Sequence, residues 1–342
     1  MRKSINKDPN FKFIDLFAGI GGMRIAFENA GGKCVFSSDN DKFCQATYKL
    51  FFNEEMAGDI TLKDTKKLIP KGFNMLLAGF PCQPFSSIGK RQGFRHATQG
   101  TLFHDIIEIL KKHKPEAILL ENVAGLTTHD KGDTYKIIKE NLDKISNDTG
   151  YWIIDKVLNA SEYGVPQHRK RIYIVGFRKD LIKAKSPELA FHALGFSFDN
   201  IKTENKKYIN LHLEKNVNDR PITKHLQDVY ISKKDDGRPQ ILEYKKQQVS
   251  NTLVASYHKI QRLTGIFVKD GPTGLRLLTE NECRAIMGYP KISKLFPKVP
   301  VSRTQMYRQF GNSVAVPVVE KIAREMYKTL NKINSLNEQF NI

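Results

Sequence analysis

Short apolar runs and amphipathic segments alternate along about the first 180 residues. Phe13-Ile14-Asp15-Leu16-Phe17 predicts a strand. Met23, Ala26, Phe27 and Ala30 then recur at helical spacing, and Gly31-Gly32 stops that helix. Cys34-Val35-Phe36 predicts a second strand, and the stretch from Phe43 to Phe52 a second helix. Further strands are expected at Met75–Ala78, Ile118–Leu120, Ile153–Leu158 and Ile172–Phe177, with a helix from Leu102 to Leu110 between two of them. This alternation predicts an α/β fold, a mostly parallel sheet with helices on both faces.

The rhythm breaks near Arg178. From there to about Thr273 the chain is rich in Lys, Asn, Asp and Tyr, with short β-like stretches such as Ser250–Ala255. Helical periodicity returns after Leu275, and Val314 to Leu330 predicts a long final helix. The expected division is a first unit at 1–185, a smaller, irregular, β-rich unit at 186–278, a hinge at 279–308 and a helical return to the first unit at 309–342.

The chain has 342 residues, 40% hydrophobic and 27% charged, as expected for a soluble globular protein with an ample core. No apolar run approaches a bilayer span, so no membrane partner is expected. The start, MRKSINKDPNFKF, lacks the apolar region of a secretory signal. Cys34, Cys44, Cys82 and Cys283 are few and scattered, which suggests neither a disulfide framework nor a metal site. Free thiols in a cytoplasm fit this usage. His104 and His168 lack ligand spacing and read as ordinary histidines, so no metal is expected. The net charge of +19 suggests a polyanionic partner. Charge alone does not separate DNA from RNA, since both attract through phosphate.

Two stretches carry candidate chemistry. Asp15-Leu16-Phe17-Ala18-Gly19-Ile20-Gly21-Gly22 leaves the first strand and opens the first helix, where glycines allow a sharp turn and a close ligand. A dinucleotide fingerprint would need a third glycine where Arg24 stands, which disfavours NAD. Asp39 follows the second strand about 20 residues on and can accept from ribose hydroxyls. Asp59, expected at another strand end, can meet an adenine amino group. Each alone reads as a solvated carboxylate; together with the glycine turn they favour a nucleoside without pyrophosphate, S-adenosylmethionine. The second stretch is GFPCQPFSS, residues 79–87, with Cys82 between two prolines just after an apolar run.

FAGIGG at 17–22, GFPCQPFSS at 79–87, LENV at 120–123, QHRKR at 167–171 and QFGNSV at 309–314 resemble, in order and spacing, the cytosine-5 DNA methyltransferases of bacterial restriction–modification systems. The resemblance spans nearly the whole chain except the middle of the second unit. It implies a Rossmann-like S-adenosylmethionine-dependent methyltransferase sheet, with a target-recognition domain at 186–278. The implied activity is methyl transfer to carbon 5 of a flipped-out cytosine in a specific duplex DNA sequence, leaving S-adenosylhomocysteine. Protection of host DNA from a cognate endonuclease would follow, and a monomer is expected. The alternative is an RNA (tRNA) cytosine-5 methyltransferase on the same fold, but the Cys-Phe-Thr motif of those relatives is not found in the second unit.

The chemistry gives each implied residue a reason. Cytosine C5 is a poor nucleophile; a thiolate added to C6 makes it an enamine, one hard step split into easier ones. The resemblance makes Cys82 that nucleophile, and Arg169 is the expected basic neighbour that raises its thiolate fraction. Glu121 is implied as the acid at N3, with a raised pKa, and Arg171 as the group that contacts O2 and orients Glu121. Asn122 is expected to hold the loop. For the cofactor the resemblance implies Phe17, Gly19, Ile20, Gly21 and Gly22 around the methionine part, Asp39 at the ribose, and Asn40 at the next position, where it cannot stack on the adenine as an aromatic would. Asp59 and Ile60 are implied at the adenine, Gly79, Pro81 and Leu102 in the wall, and Asn312 and Val314 at the start of the final helix. Asp39 stands where glutamate is common, and Asn40 where an aromatic is common.

Reaching a cytosine requires flipping it out of the duplex. Ser86, Ser87, Ile88, Lys90 and Arg91 follow the nucleophile in a stretch suited to closing over DNA, with Ile88 as the wedge. Thr252 matches the threonine of the family's Thr-Leu pair, which lies against the DNA backbone. Gln261 and Arg262 can each pair with a base edge or sit in a solvated loop.

Overall fold

The computed structural model describes residues 9–81, 102–146, 149–201, 206–234, 236–290 and 298–340, with side chains to 335. Strands β1 (Phe11–Leu16), β2 (Gly32–Ser38), β3 (Met75–Gly79), β4 (Ala117–Val123), β5 (Tyr151–Asn159) and β6 (Lys170–Arg178) form one sheet in the order β2-β1-β3-β4-β6-β5. The pairs β1–β2, β1–β3 and β3–β4 are parallel, whereas β6 runs antiparallel to both of its neighbours. Both faces are covered, which explains why β3 and β4 read as continuous apolar runs. Phe13, Leu77, Leu119 and Val175 face α1 (Gly22–Asn29) and the final helix; Ile14, Leu76, Leu120 and Ile174 face the helix that precedes β4 and the one that follows it.

The predicted elements of the first unit stand, with small shifts of boundary. The second helix is α2 (Lys42–Phe52), capped by Asp41, whose side chain accepts from the Phe43 and Cys44 amides. A short α3 (Lys63–Lys67) follows, then α4 (Leu102–His113) and α5 (Asp133–Asp143). Asp59 follows no strand: residues 54–59 are irregular, anchored where the Ala57 amide donates to Ser37 O at 2.9 Å.

The second unit departs further from expectation. After α6 (Pro187–Leu194) come a single turn α7 (Lys224–Leu226), then β7 (Gln240–Leu242) and β8 (Ile266–Val268), each three residues long. Among the described residues these two paired strands are its whole sheet, so the β-rich expectation fails. Ser250–Ala255 is irregular apart from one bridge between Ser250 and Gln167. Glutamine side chains replace the missing ladder. Gln240 donates to Val249 O and accepts from the Asn251 amide; Gln248 donates to Ile241 O and accepts from the Glu243 amide. Gln227 donates to the carbonyls of Ile222 and Thr273. Backbone groups are satisfied without strand periodicity, so alternation in the sequence has nothing to report.

Residues 279–308, expected as a hinge, hold α8 (Glu280–Met287) and the first part of α9 (Arg303–Asn312). Thr279 and Glu282 cap α8 reciprocally. The final helix, α10 (Val316–Phe340), is longer than predicted and packs along α1. Asn312 therefore closes α9, and Val314 lies in the link before α10, rather than both starting the final helix. None of the described helices is long and apolar enough to cross a membrane.

Candidate active site

The sheet changes direction of progression between β1 and β3, and a cleft of about 530 Å³ opens beyond the carboxyl ends of the parallel strands there. Such a switch point is where open α/β sheets hold ligands.

The turn after β1 shapes one wall. Phe17 has φ 56° and Gly19 φ 56°; a side chain at Gly19 would meet no atom within 4 Å, so this glycine serves backbone conformation and an open approach. Phe17 carries the same left-handed strain with a side chain, a cost that concentrates at functional turns. Gly22 is required by packing: a Cβ there would stand 2.5 Å from Tyr289 Oη. The Asp39 carboxylate accepts from the Gly19 amide at 2.8 Å and from the Asp41 amide at 2.9 Å. Asp39 thus holds the glycine turn, and burial still pushes its pKa up.

The opposite wall comes from β3, β4 and β6. Gly79 pairs with Glu121, and Val123 pairs with Arg171, which sets Glu121 and Arg171 on one face of the sheet. Arg171 Nε lies 3.2 Å from Glu121 Oε1. Glu121 is 8% exposed, and burial raises its pKa against the opposing pull of Arg171 and then Arg169. Asn122 points to the other face, where its Nδ2 donates to Phe80 O at 2.9 Å. It fastens the segment that leads to Cys82.

Of the cofactor candidates, Phe17, Gly19, Gly22, Asp39, Asn40, Asp59, Ile60, Gly79, Pro81, Leu102, Asn312 and Val314 line the cleft, together with Glu121 and Arg171. Ile20 and Gly21 do not. Ile20 is buried in the core, and Gly21 caps α1 against Phe52, which a Cβ would approach to 2.3 Å. Arg169 is also absent from the lining. Its guanidinium donates to the carbonyls of Leu253 at 3.0 Å, Gly311 at 3.0 Å and Ser313 at 2.6 Å. Burial, and then Arg171, lower its pKa to about 9. Its Nη atoms are committed to these carbonyls, and the thiol that Arg169 is expected to serve lies outside the described residues. Cys82, Ser86, Ser87, Ile88, Lys90 and Arg91 lie outside the described residues. Thr252 is away from the cleft, its hydroxyl donating to His168 O. Arg262 is buried and ion-paired with Asp236, so it does not offer a free base-reading fork.

Several lining residues escaped the sequence reading, and Asp15 is the most deeply buried carboxyl among them. Asp15 is 1% exposed, and neither of its carboxylate oxygens has a hydrogen-bond partner among the described residues. Burial pushes its pKa up to about 8, against the pull of Arg24. Its signal was a carboxylate inside the apolar run Phe13-Ile14-Asp15-Leu16-Phe17. Arg24 itself, in the place of the third fingerprint glycine, pairs with Glu28 and Glu54 and stacks on Phe52.

Among the described lining residues, Asp15, Asp39, Asp41, Asp59 and Glu121 are acidic and only Arg171 is cationic. Burial raises the pKa of Asp15, Asp39 and Glu121 and so lessens their charge, but carboxyl groups still outnumber cations in the cleft of a chain of net charge +19, which disfavours a pyrophosphate. Among the described residues no cluster of His, Cys, Asp and Glu could hold a metal.

Known proteins resemble this chain over nearly its whole length. The family model described as C-5 cytosine-specific DNA methylase matches residues 11–328. The type II methyltransferase M.MspI of a Moraxella species is 50% identical over 332 residues, covering 97% of this chain and 74% of that one. M.HhaI of Haemophilus parahaemolyticus is 37% identical over 329 residues, 94% of this chain and 95% of that one. Among solved structures, the Dnmt2 methyltransferase of S. pombe superposes with TM-score 0.70 at 21% identity, over 94% of this chain and 99% of that one, a likeness of fold.

Proposed function

The chain belongs to the C-5 cytosine-specific DNA methylase family, and from that premise we propose that its cleft binds S-adenosylmethionine and presents a flipped-out cytosine of one duplex sequence to Cys82. The enzyme is a DNA (cytosine-5) methyltransferase, of the kind that works in restriction–modification. The observation that carries the site assignment is the acidic switch-point cleft with the Glu121–Arg171 pair at one end.

The residues present fit the cofactor. Asp15 offers a buried carboxyl group without a hydrogen-bond partner among the described residues, Gly19 leaves room for close approach, and Asp39 and Asp59 supply acceptors farther along the cleft. S-adenosylmethionine, when bound, supplies a methyl group on a sulfonium. Cys82 adds as a thiolate to C6, and the ring electrons move toward N3. Glu121, whose pKa burial raises, donates a proton there, so the ring is neutral and C5 gains electron density. Arg171 holds the Glu121 carboxyl in place and meets O2. After C5 takes the methyl group, a bound water removes the C5 proton, the C6–sulfur bond breaks, the thiolate departs, and N3 returns its proton to the Glu121 carboxylate. Residues 186–278, with Thr252, and the segment holding Ser86, Ile88, Lys90 and Arg91 engage the DNA.

Bisulfite sequencing of DNA from cells expressing the chain tests this. Protected cytosines should recur in one sequence context and vanish with Cys82→Ser. No protected cytosine in DNA, with labelled methyl transferred only to tRNA, would overturn it in favour of an RNA substrate.

A further inference from the structure

We infer that Arg169 is a positioning residue that couples DNA engagement by residues 250–255 to the shape of the cofactor cleft. The inference rests on the methyltransferase reading above. The three carbonyls that Arg169 holds belong to two separate parts of the chain. Gly311 lies in the last turn of α9 and Ser313 is its C-cap. A helix ends with carbonyls that lack intrahelical partners and with a partial negative charge, so a guanidinium there caps both. The end of α9 also carries lining of the cleft: Gly311, Asn312 and Ser313. The third carbonyl, Leu253 O, belongs to the segment that follows Thr252.

The same segment is tied to the approach to β6 at four more points. Ser250 N donates to Pro166 O at 2.9 Å, and His168 N donates to Ser250 O at 2.7 Å. Leu253 N donates to Gln167 Oε1 at 2.9 Å, and Thr252 Oγ1 donates to His168 O at 2.5 Å. Direct packing closes the triangle: a Cβ at Gly311 would stand 2.4 Å from Ala255 N and 2.5 Å from the Val254 carbonyl carbon. A shift of residues 250–255 on DNA therefore moves Leu253 O, the Arg169 fork and the α9 terminus together. Two residues on, Arg171 carries the motion to Glu121. Arg169 is 2% exposed and rigidly surrounded, which makes it a lever rather than a cushion.

The test is a thermodynamic cycle on the full chain. S-adenosylhomocysteine is titrated by calorimetry without DNA, with a duplex carrying the sequence found by bisulfite sequencing, and with a scrambled duplex. The specific duplex should tighten its binding about 5-fold or more, and the scrambled duplex should not. Arg169→Lys, which keeps the charge but not the fork, should bring that ratio close to one. So should Gly311→Ala, which disturbs the same junction without touching Arg169. A purely structural role would weaken both affinities and leave the ratio unchanged, which overturns the inference. Should both variants fail to fold, Thr252→Val removes a single hydrogen bond at an exposed margin and should reduce the ratio about 2-fold or more; an unchanged ratio overturns it. An unsubstituted chain that binds both probes with a ratio of one refutes the coupling alone. Binding of neither probe refutes the methyltransferase reading and the coupling with it.

Discussion

Replacing Asp15 with Asn should leave the ligand-free protein little changed near pH 4 but distinctly more stable than the natural chain near pH 8. The carboxyl is 1% exposed, unpartnered among the described residues, and pushed from 3.8 up to about 8 by burial. Arg24 pulls it down, while Asp39 and Glu28 push it up. The sign follows from proton counting. Above its ordinary value the unfolded chain has lost the proton, whereas the folded chain keeps it until about pH 8. The folded state therefore binds more protons across that window, and its stability falls as pH rises, at about 1.4 kcal/mol per pH unit. The loss reaches ~4 kcal/mol at pH 7. Asn has the same shape and stays neutral, so its curve lacks this slope. Asp39, Glu121 and Glu28 are also raised by burial, so both proteins share their slope, and the difference isolates Asp15. Urea unfolding of both chains at several pH values between about 5 and 8 reads the gap as a change of midpoint at constant slope. Parallel stability curves would refute the reasoning, because they would mean that Asp15 titrates alike in the folded and unfolded chains.

Glu121→Gln removes the proton donor while keeping the shape, and kcat in a labelled methyl-transfer assay should fall about 10²- to 10⁴-fold. In the natural enzyme the rate should decline as pH rises through the elevated Glu121 pKa, the direction set by burial; that limb should be absent from the variant. Gly22→Ala places a Cβ 2.5 Å from Tyr289 Oη and 2.9 Å from Ser313 Oγ, and should cost about 1–3 kcal/mol in urea unfolding. Adding Tyr289→Phe, which removes the nearest atom, should recover part of that loss. Arg276, with no exposed side-chain surface, pairs with Glu282 and Asp270, so Arg276→Met should strand a buried carboxylate and destabilise by about 3–5 kcal/mol. A melting temperature unchanged by that substitution would argue that the pair does not anchor α8 to the second unit.

The first unit was legible because its elements are local. β3 and β4 are apolar runs covered on both faces, and α1 and α2 carry their apolar spacing and their stops within themselves. The second unit was not, because glutamine side chains rather than a ladder hold it together, and no periodic pattern encodes such bonds. The length of α10 was missed for a related reason: past Leu330 it meets distant segments, as where Lys332 Nζ donates to Ala193 O, and no local pattern records such contacts.

At the site, the order of motifs was enough to name Glu121, Arg171, Asp39 and the glycine turn, because each motif carries its chemistry in a few adjacent residues. Their meeting was not in any one stretch. Arg169 reaches Leu253 across 84 positions and Gly311 across 142, so its task could not be read from its neighbours in the chain. The place of Asp15 in the cleft likewise depends on where β1 lies between β2 and β3. Local sequence chose the strands, helices and turns, because propensity and periodicity act over a few residues. Sheet register and packing chose which carboxylates converge, which arginine lines the cleft and which one clamps the junction, because those contacts exist only once distant segments are side by side.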